Sequence, residues 1–478
     1  MVDIVRFLLG GLIPEWLIYL IAYVIVTTII LIVAPLTMMM QVWFERRMVA
    51  RMQDRLGPNR VGPAGLLQSI ADGVKMFTKE DIVPRAADKW VHLLAPIIAV
   101  APVMFMLAVV PWGRGVVPAD VNVSVLFVVA VSSVSAVGLM MAGWGSNNKF
   151  ALLGAMRAVA QMVSYEIPAV LGLLGVVLLT GTMSLSSLPE FQAGVPILGT
   201  TITTTCAIDP ATSRGVCPAG AVSFENYPTL PLPGQTQPAA SEEARKTTGF
   251  YDLGLGWFVF TPVGLVGFLL FFISALSEGE RTPFDIPEAD SEIVAGYMTE
   301  YSGMKFAIFY LGQFVLNYAL SMIAAIGFLG GWQGPGVGWL VSTGGFGAFL
   351  GGALSVIYLL IKSWFLFFVM VWLRGAFPRL RVDQLLGFAW KFLLPLALVN
   401  ILSIALWVAI TQWGASQGLP FLEGREPWLR QIIAFVVTAA INGATYYWLL
   451  MLNRRPEGET PAELAEDQVF GTIGLPQG

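Results

Sequence analysis

The chain has 478 residues, of which 56% are hydrophobic and only 12% charged. That is too little charge to clothe the two or three soluble domains its length would suggest, so it reads as an integral membrane protein. The formal net charge of −4, with no basic stripe interleaved by aromatics, gives no sign of a nucleic-acid partner; one histidine and two cysteines cannot assemble a bis-histidine haem or a four-thiolate cluster, so any electrons the protein serves travel elsewhere.

Met1 to Trp16 carries Asp3, Arg6 and Glu15 without a small-residue cleavage pattern, and is read as retained rather than as a signal peptide. Windows of roughly 20 residues, enough to cross about 30 Å of hydrocarbon, fall at 17–40, 91–112, 121–144, 158–181, 255–277, 306–330, 345–373, 386–413 and 431–453. The expected fold is therefore an all-α bundle of about nine transmembrane helices within 1–453, with long ordered cytoplasmic loops. Of the 27 Lys and Arg, nineteen fall in connections on one side; Arg6, Arg114, Arg214, Arg245, Lys246, Arg425 and Arg430 fall on the other, and Lys362 lies inside a span. The positive-inside rule makes the first side cytoplasmic, with the N-terminus outside and the C-terminus inside.

Loop 41–90 holds Glu45-Arg46-Arg47, Arg51, Arg55, the Gly57-Pro58-Asn59-Arg60-Val61-Gly62-Pro63 turn, Asp72, Lys75, Lys79 and Glu80. Arg47, Arg51, Lys79 and Lys89 are read as interfacial anchors; the Gly and Pro pairs instead argue for a fixed turn that aims Arg60. His92, close to Trp90, is read as an interfacial residue.

In span 158–181, Arg157, Gln161 and Tyr165 share one helical face, and Pro168 deprives the Ser164 carbonyl of its donor. Glu166 sits at that break. An acid inside a span is a functional-site hypothesis, with pairing to a nearby arginine as its alternative.

The 182–253 segment is an extracytoplasmic insertion rich in Pro, Gly, Thr and Ser, and its Cys206 and Cys217 are candidates for a disulfide or two free thiols.

Loop 278–305 concentrates Glu278, Glu280, Asp285, Glu288, Asp290, Glu292 and Glu300 against Arg281 and Lys305. A helix there would stack Asp285, Glu288 and Glu292 on one face, and crowded carboxylates beside low dielectric take up protons together. Helix capping by Asp285 and Glu288 is the competing account of those two.

Lys362 lies twelve residues before Arg374, about 18 Å along a helix, and is expected to pair with an acid or face water, unless its span projects from the membrane. The segment Trp372 to Gln384 gathers Arg374, Arg379 and Arg381 about a short turn. The tail 454–478 reads as a polar cytoplasmic extension.

Taken in order, these stretches resemble the H subunit of bacterial NADH–quinone oxidoreductase, a membrane component of respiratory complex I. The resemblance rests on Glu45-Arg46-Arg47 with the Gly57–Pro63 turn, Ala71-Asp72, Lys79-Glu80, Ser146-Asn147-Asn148-Lys149, Ala160-Gln161 with Ser164-Tyr165-Glu166, Glu278 to Asp285, Ser291-Glu292, Glu300-Tyr301 and Arg374 to Gln384. It implies a tilted helical bundle in a bacterial plasma membrane whose cytoplasmic loops form a quinone tunnel and chamber with hydrophilic-arm subunits. Those partners would carry FMN and the iron–sulfur clusters; this chain would hold no metal and meet quinone as substrate.

By the same resemblance Arg46, Arg55, Arg60, Asp72, Arg281, Phe284, Arg374 and Arg379 shape the tunnel. Glu45, Glu166, Glu278, Glu280, Asp285, Glu288, Glu292 and Lys362 belong to a path that couples quinone chemistry to proton translocation. The insertion and the tail lie outside the resemblance. A stand-alone ion-coupled secondary transporter is the rival reading, and the inverted repeats that would favour it are not evident.

Overall fold

Hydrocarbon offers no water to a backbone amide, and a helix is the element that satisfies nearly all of its N–H and C=O groups within one segment. The computed structural model describes residues 14–114, 116–192, 207–209, 214–216, 256–287, 294–337, 340, 345–411 and 427–452. In chain order the helices are α1 (Glu15–Met52), α2 (Gln68–Thr78), α3 (Lys89–Val109), α4 (Ser124–Gly145), α5 (Lys149–Thr180), the short α6 (Leu188–Phe191), α7 (Pro262–Glu278), α8 (Gly303–Phe328), α9 (Gly345–Ala376), α10 (Val382–Phe388), α11 (Leu394–Thr411) and α12 (Pro427–Leu452). Two short strands, β1 (Ala207–Asp209) and β2 (Arg214–Val216), pair antiparallel with Ala207 opposite Val216. Cys206, Cys217 and the tail after 453 lie outside the described residues.

Eight described helical stretches are long and apolar enough to cross a bilayer, α10 and α11 counting as one; the 17-residue α7 is shorter. The protein is an all-helical membrane bundle. Local chemistry sets several helix limits away from the apolar windows. Asn148 accepts the Phe150 amide at 3.0 Å and caps α5, so helix begins at Lys149, nine residues ahead of the apolar window. The charged run Glu45 to Arg51 consists of good helix formers and extends α1 to Met52. Pro395 lacks the N–H that would bind the Lys391 carbonyl, and a π segment, Ala389–Leu393, separates α10 from α11.

Helix α8 is the axis of the packing. Every residue from Phe314 to Phe328 is buried, and α3, α7, α9 and α1 surround it. Close approach elsewhere depends on small residues: Gly138 of α4 lies against the backbone of Ala99 in α3, where any side chain would collide. Gly138→Leu is expected to destabilise the bundle by about 1–3 kcal/mol through overpacking, read as a lower melting temperature of the purified assembly, whereas Gly352→Leu, at a glycine with open space around it, leaves the melt unchanged.

Candidate functional site

The long connections meet at one end of the bundle and hold one another in place. The Asp88 amide donates to the Gly145 carbonyl at 3.0 Å, Asn148 to Glu300 at 2.7 Å, and the Ile82 amide to the Ser302 hydroxyl at 2.8 Å; Lys305 pairs with Asp81 at 2.8 Å. The loops are thus an ordered layer rather than separate connectors.

Within this layer Glu45, near the end of α1 and 4% exposed, receives two guanidiniums. Arg281 donates through Nη1 to both carboxylate oxygens at 2.8 Å, and Arg374, from the last turn of α9, pairs with the same group. Arg281 is buried, with its guanidinium carbon 4.2 Å from the Phe314 ring centroid. One carboxylate therefore joins α1, the segment after α7 and the end of α9, and the triad carries a net positive charge.

Glu280, the residue before Arg281, turns the other way. Its backbone is left-handed, with φ of 51°, and the carboxylate accepts from the Tyr297 hydroxyl at 3.0 Å and from Gln313 Nε2 at 2.7 Å. Glu278 and Glu280 line a cavity of about 30 Å³, otherwise walled by residues such as Val100, Ser135, Leu139, Met162 and Leu316. That is room for one or two waters. Glu278 lies close enough to Glu166 for the two carboxylates to repel, with the Ser132 hydroxyl in hydrogen-bonding reach. Gln161 fixes the segment by donating to the carbonyls of Ser277 (2.8 Å) and Phe284 (2.7 Å). Tyr165 packs on Phe284 with centroids 5.2 Å apart and donates to the Leu385 carbonyl at 3.0 Å.

The remaining sequence candidates separate into three groups. Asp285 pairs with Arg379 at 3.0 Å, and the Leu380 amide donates to the Pro283 carbonyl at 3.1 Å, so the turn after α9 is fastened to the acid loop. A helix stacking Asp285 with Glu288 and Glu292 would run through residues outside those described. The described backbone from Arg281 to Pro287 is non-helical, because Pro283 and Pro287 remove amide donors and exclude the residues before them from helical conformation. Glu288 and Glu292 lie outside the described residues.

Arg46 pairs with Asp72 at 2.6 Å, fastening α2 to α1, while Arg55 donates to Gln53 at 2.8 Å and, like Arg60, is exposed. Gly62 and Gly65 both have positive φ, at 73° and 76°, which fixes the turn bearing Arg60.

His92, in the first turn of α3, is fully buried within the protein, with its ring stacked 4.0 Å from Tyr301. Lys362 is half-buried, and its ammonium donates to the backbone carbonyls of Leu329, Gly331 and Gln333. Gln313 and Asn317 of α8 were not singled out by sequence reasoning, although with Ser321 they recur every four residues as a polar stripe in an apolar span. Asn317 donates to the Gly279 carbonyl at 3.1 Å, and a side chain at Gly279 would strike Asn317.

The fold and this geometry define a many-spanning helical membrane protein whose ionisable chemistry is gathered in an ordered layer at one end. Residues 24–213 and 235–405 match the family model described as NADH dehydrogenase. The H subunit of NADH-quinone oxidoreductase from Dehalococcoides mccartyi strain CBDB1 is 40% identical over 396 residues, covering 83% of this chain and 89% of that protein. The protein of the same description from Chlorobaculum parvum is 40% identical over 371 residues, covering 77% and 87%. The second H subunit of Koribacter versatilis is 35% identical over 421 residues, covering 84% and 100%. The chain belongs to this NADH dehydrogenase family.

The ion pairs make two outcomes measurable. Removing one partner of a buried pair typically costs about 3–5 kcal/mol, so Arg281→Met is expected to lower the thermal stability of the assembly more than Arg374→Met, since Arg374 is more exposed. Equal melting shifts would contradict this.

Burial alone would raise the Asp72 carboxyl, but the hydrogen bond and charge of Arg46, with Gln68 and Lys75, outweigh it and hold the group below its usual value. The tie is therefore complete above the ordinary carboxylate range and is lost as pH falls through the lowered value. Proteolytic nicking between residues 53 and 67 should rise on such acidification, and Asp72→Asn should nick readily at every pH.

Proposed function

We propose that this chain is the H-type membrane component of a proton-translocating NADH–quinone oxidoreductase, with its charged loops on the cytoplasmic side of a bacterial plasma membrane. In this reading Arg46, Arg55, Arg60, Asp72, Arg281, Phe284, Arg374 and Arg379 border the path by which quinone leaves the bilayer. Hydrophilic-arm subunits bearing FMN and iron–sulfur clusters deliver electrons to it there. Glu45 sets the charge of that wall, and Glu166, Glu278, Glu280 and Asp285, with Glu288 and Glu292, hold or pass the protons.

The observation that carries this reading is the adjacency of Glu280 and Arg281. Successive residues serve opposite sides of one loop: Arg281 binds Glu45 in the positive triad, and Glu280 lines the acid cavity. Reduction of a quinone consumes electrons and protons and so changes the charge at the triad. Any shift of Arg281 in response is transmitted through a single peptide bond to Glu280 and to its bonds with Tyr297 and Gln313. Glu278 lines the same cavity and is repelled by Glu166 beyond it, so a changed position of Glu280 alters how readily a proton is shared among the three.

In the assembled complex, Glu278→Gln and Glu280→Gln are expected to reduce quinone-linked proton pumping tenfold or more. NADH oxidation by a soluble artificial acceptor, which bypasses this chain, should stay within about twofold of wild type. Normal pumping in both variants would overturn the assignment.

A further inference from the structure

The other end of α8 solves a different problem. The helix stops at Phe328 while still enclosed, with Trp332 and Gln333 also buried, and a helix end leaves four carbonyls without helical partners. Each is costly when shut away from water. Here the donors come from within the protein. The Ala325 carbonyl accepts from the amides of Leu329 (3.0 Å) and Gly331 (2.8 Å). Those of Ile326 and Gly327 accept from Gln192 Nε2, at 2.8 and 3.1 Å, and the Gln192 side-chain oxygen accepts the Gly330 amide at 2.9 Å.

Lys362 of α9 completes the arrangement. Its Nζ donates to the carbonyls of Leu329 (2.7 Å), Gly331 (2.9 Å) and Gln333 (2.7 Å), using all three ammonium hydrogens. The Trp257 ring covers it, with the centroid 4.1 Å from Nζ.

The position of this knot gives it meaning. Gln313, the partner of Glu280, precedes Leu329 by sixteen residues, about 24 Å along a helix. Between them α8 passes through Met322, Ile323, Ala324, Ala325, Ile326 and Phe328, all buried and apolar. On the far side, Ser355, seven residues before Lys362 and about 10 Å along α9, accepts the Arg114 amide from the connection between α3 and α4. From the loop layer outward the order is acid cavity, apolar stretch, lysine knot, outer connections.

We propose that Lys362 is a seal: it closes the extracytoplasmic end of the bundle to water, so that the acid cavity exchanges protons only toward the loop layer. The inference rests on the proton-coupling reading and on its sidedness. The end of a helix is a focus of partial negative charge, and three converging carbonyls within an apolar bundle would otherwise draw in water and, with it, a conducting route for protons. The ammonium matches them donor for donor, and the indole covers it. Lys362 is thus assigned outside the path of acids that takes up and passes protons.

The test uses the intact complex in liposomes. Acidification of the lumen is followed after an imposed pH step, with no NADH present. Lys362→Met is expected to raise passive proton entry at least threefold while quinone reduction by NADH stays within about twofold of wild type, and Lys362→Arg should restore tightness. Lys362→Met vesicles as tight as wild type would overturn the proposal. If Lys362→Met does not assemble, Trp257→Leu, which uncovers the ammonium but leaves its hydrogen bonds, is read by the same criterion, and tight vesicles again count against the seal. Failure of the coupling reading would look different: wild-type complex would reduce quinone without moving protons, whatever the passive leak.

Discussion

A single carboxylate holding two guanidiniums organises the loop end of this protein. Glu45 is buried where α1 leaves the apolar part of the bundle, and Arg281 and Arg374 reach it from two other elements. Burying the Glu45 and Arg281 charges is unfavourable unless each finds its partners, so the triad dictates the positions of the segments that bear it. Gln161 and Asn317 then fasten the α7–α8 segment from within, and the Asp285–Arg379 pair fastens it to the turn after α9. The loop layer acquires one arrangement because few others satisfy all of these groups together.

The two ends of the bundle treat polarity in opposite ways. At the loop end, Glu278 and Glu280 line a small cavity, and the hydrogen bonds to Glu280 come from the side chains of Tyr297 and Gln313. At the other end, Lys362 and Gln192 satisfy backbone carbonyls directly, beneath connections that are themselves tied to the helices. A conducting interior needs the first kind of end, and a tight membrane needs the second. The buried apolar length of α8 separates them.

Much of this was legible in the sequence. Composition and the spacing of apolar windows specify an all-helical membrane bundle, and the unusual acid and arginine content of the loops marks the end that carries chemistry. What could not be read was pairing. Nothing in the spacing of Glu45, Arg281 and Arg374 shows that they converge, because the contacts join segments far apart in the chain. Lys362 is expected from sequence to pair with an acid or face water; backbone carbonyls at a helix end are an equally good partner and leave no trace in side-chain composition. The stacking of His92 on Tyr301 is hidden for a similar reason, since it depends on a loop that returns from a distant part of the sequence.

In the proposed function, a change of charge at the arginine triad is converted into a change of protonation among the neighbouring acids. Infrared difference spectroscopy of the intact complex, recorded as bound quinone is reduced, reads this directly through the C=O stretch of a protonated carboxyl group. A carboxyl band is expected in wild type that shifts or disappears in Glu280→Gln and in Glu278→Gln, and that is weakened when Arg281 is replaced by Lys. A band unaffected by all three substitutions, or quinone reduction with no carboxyl signal, would contradict it.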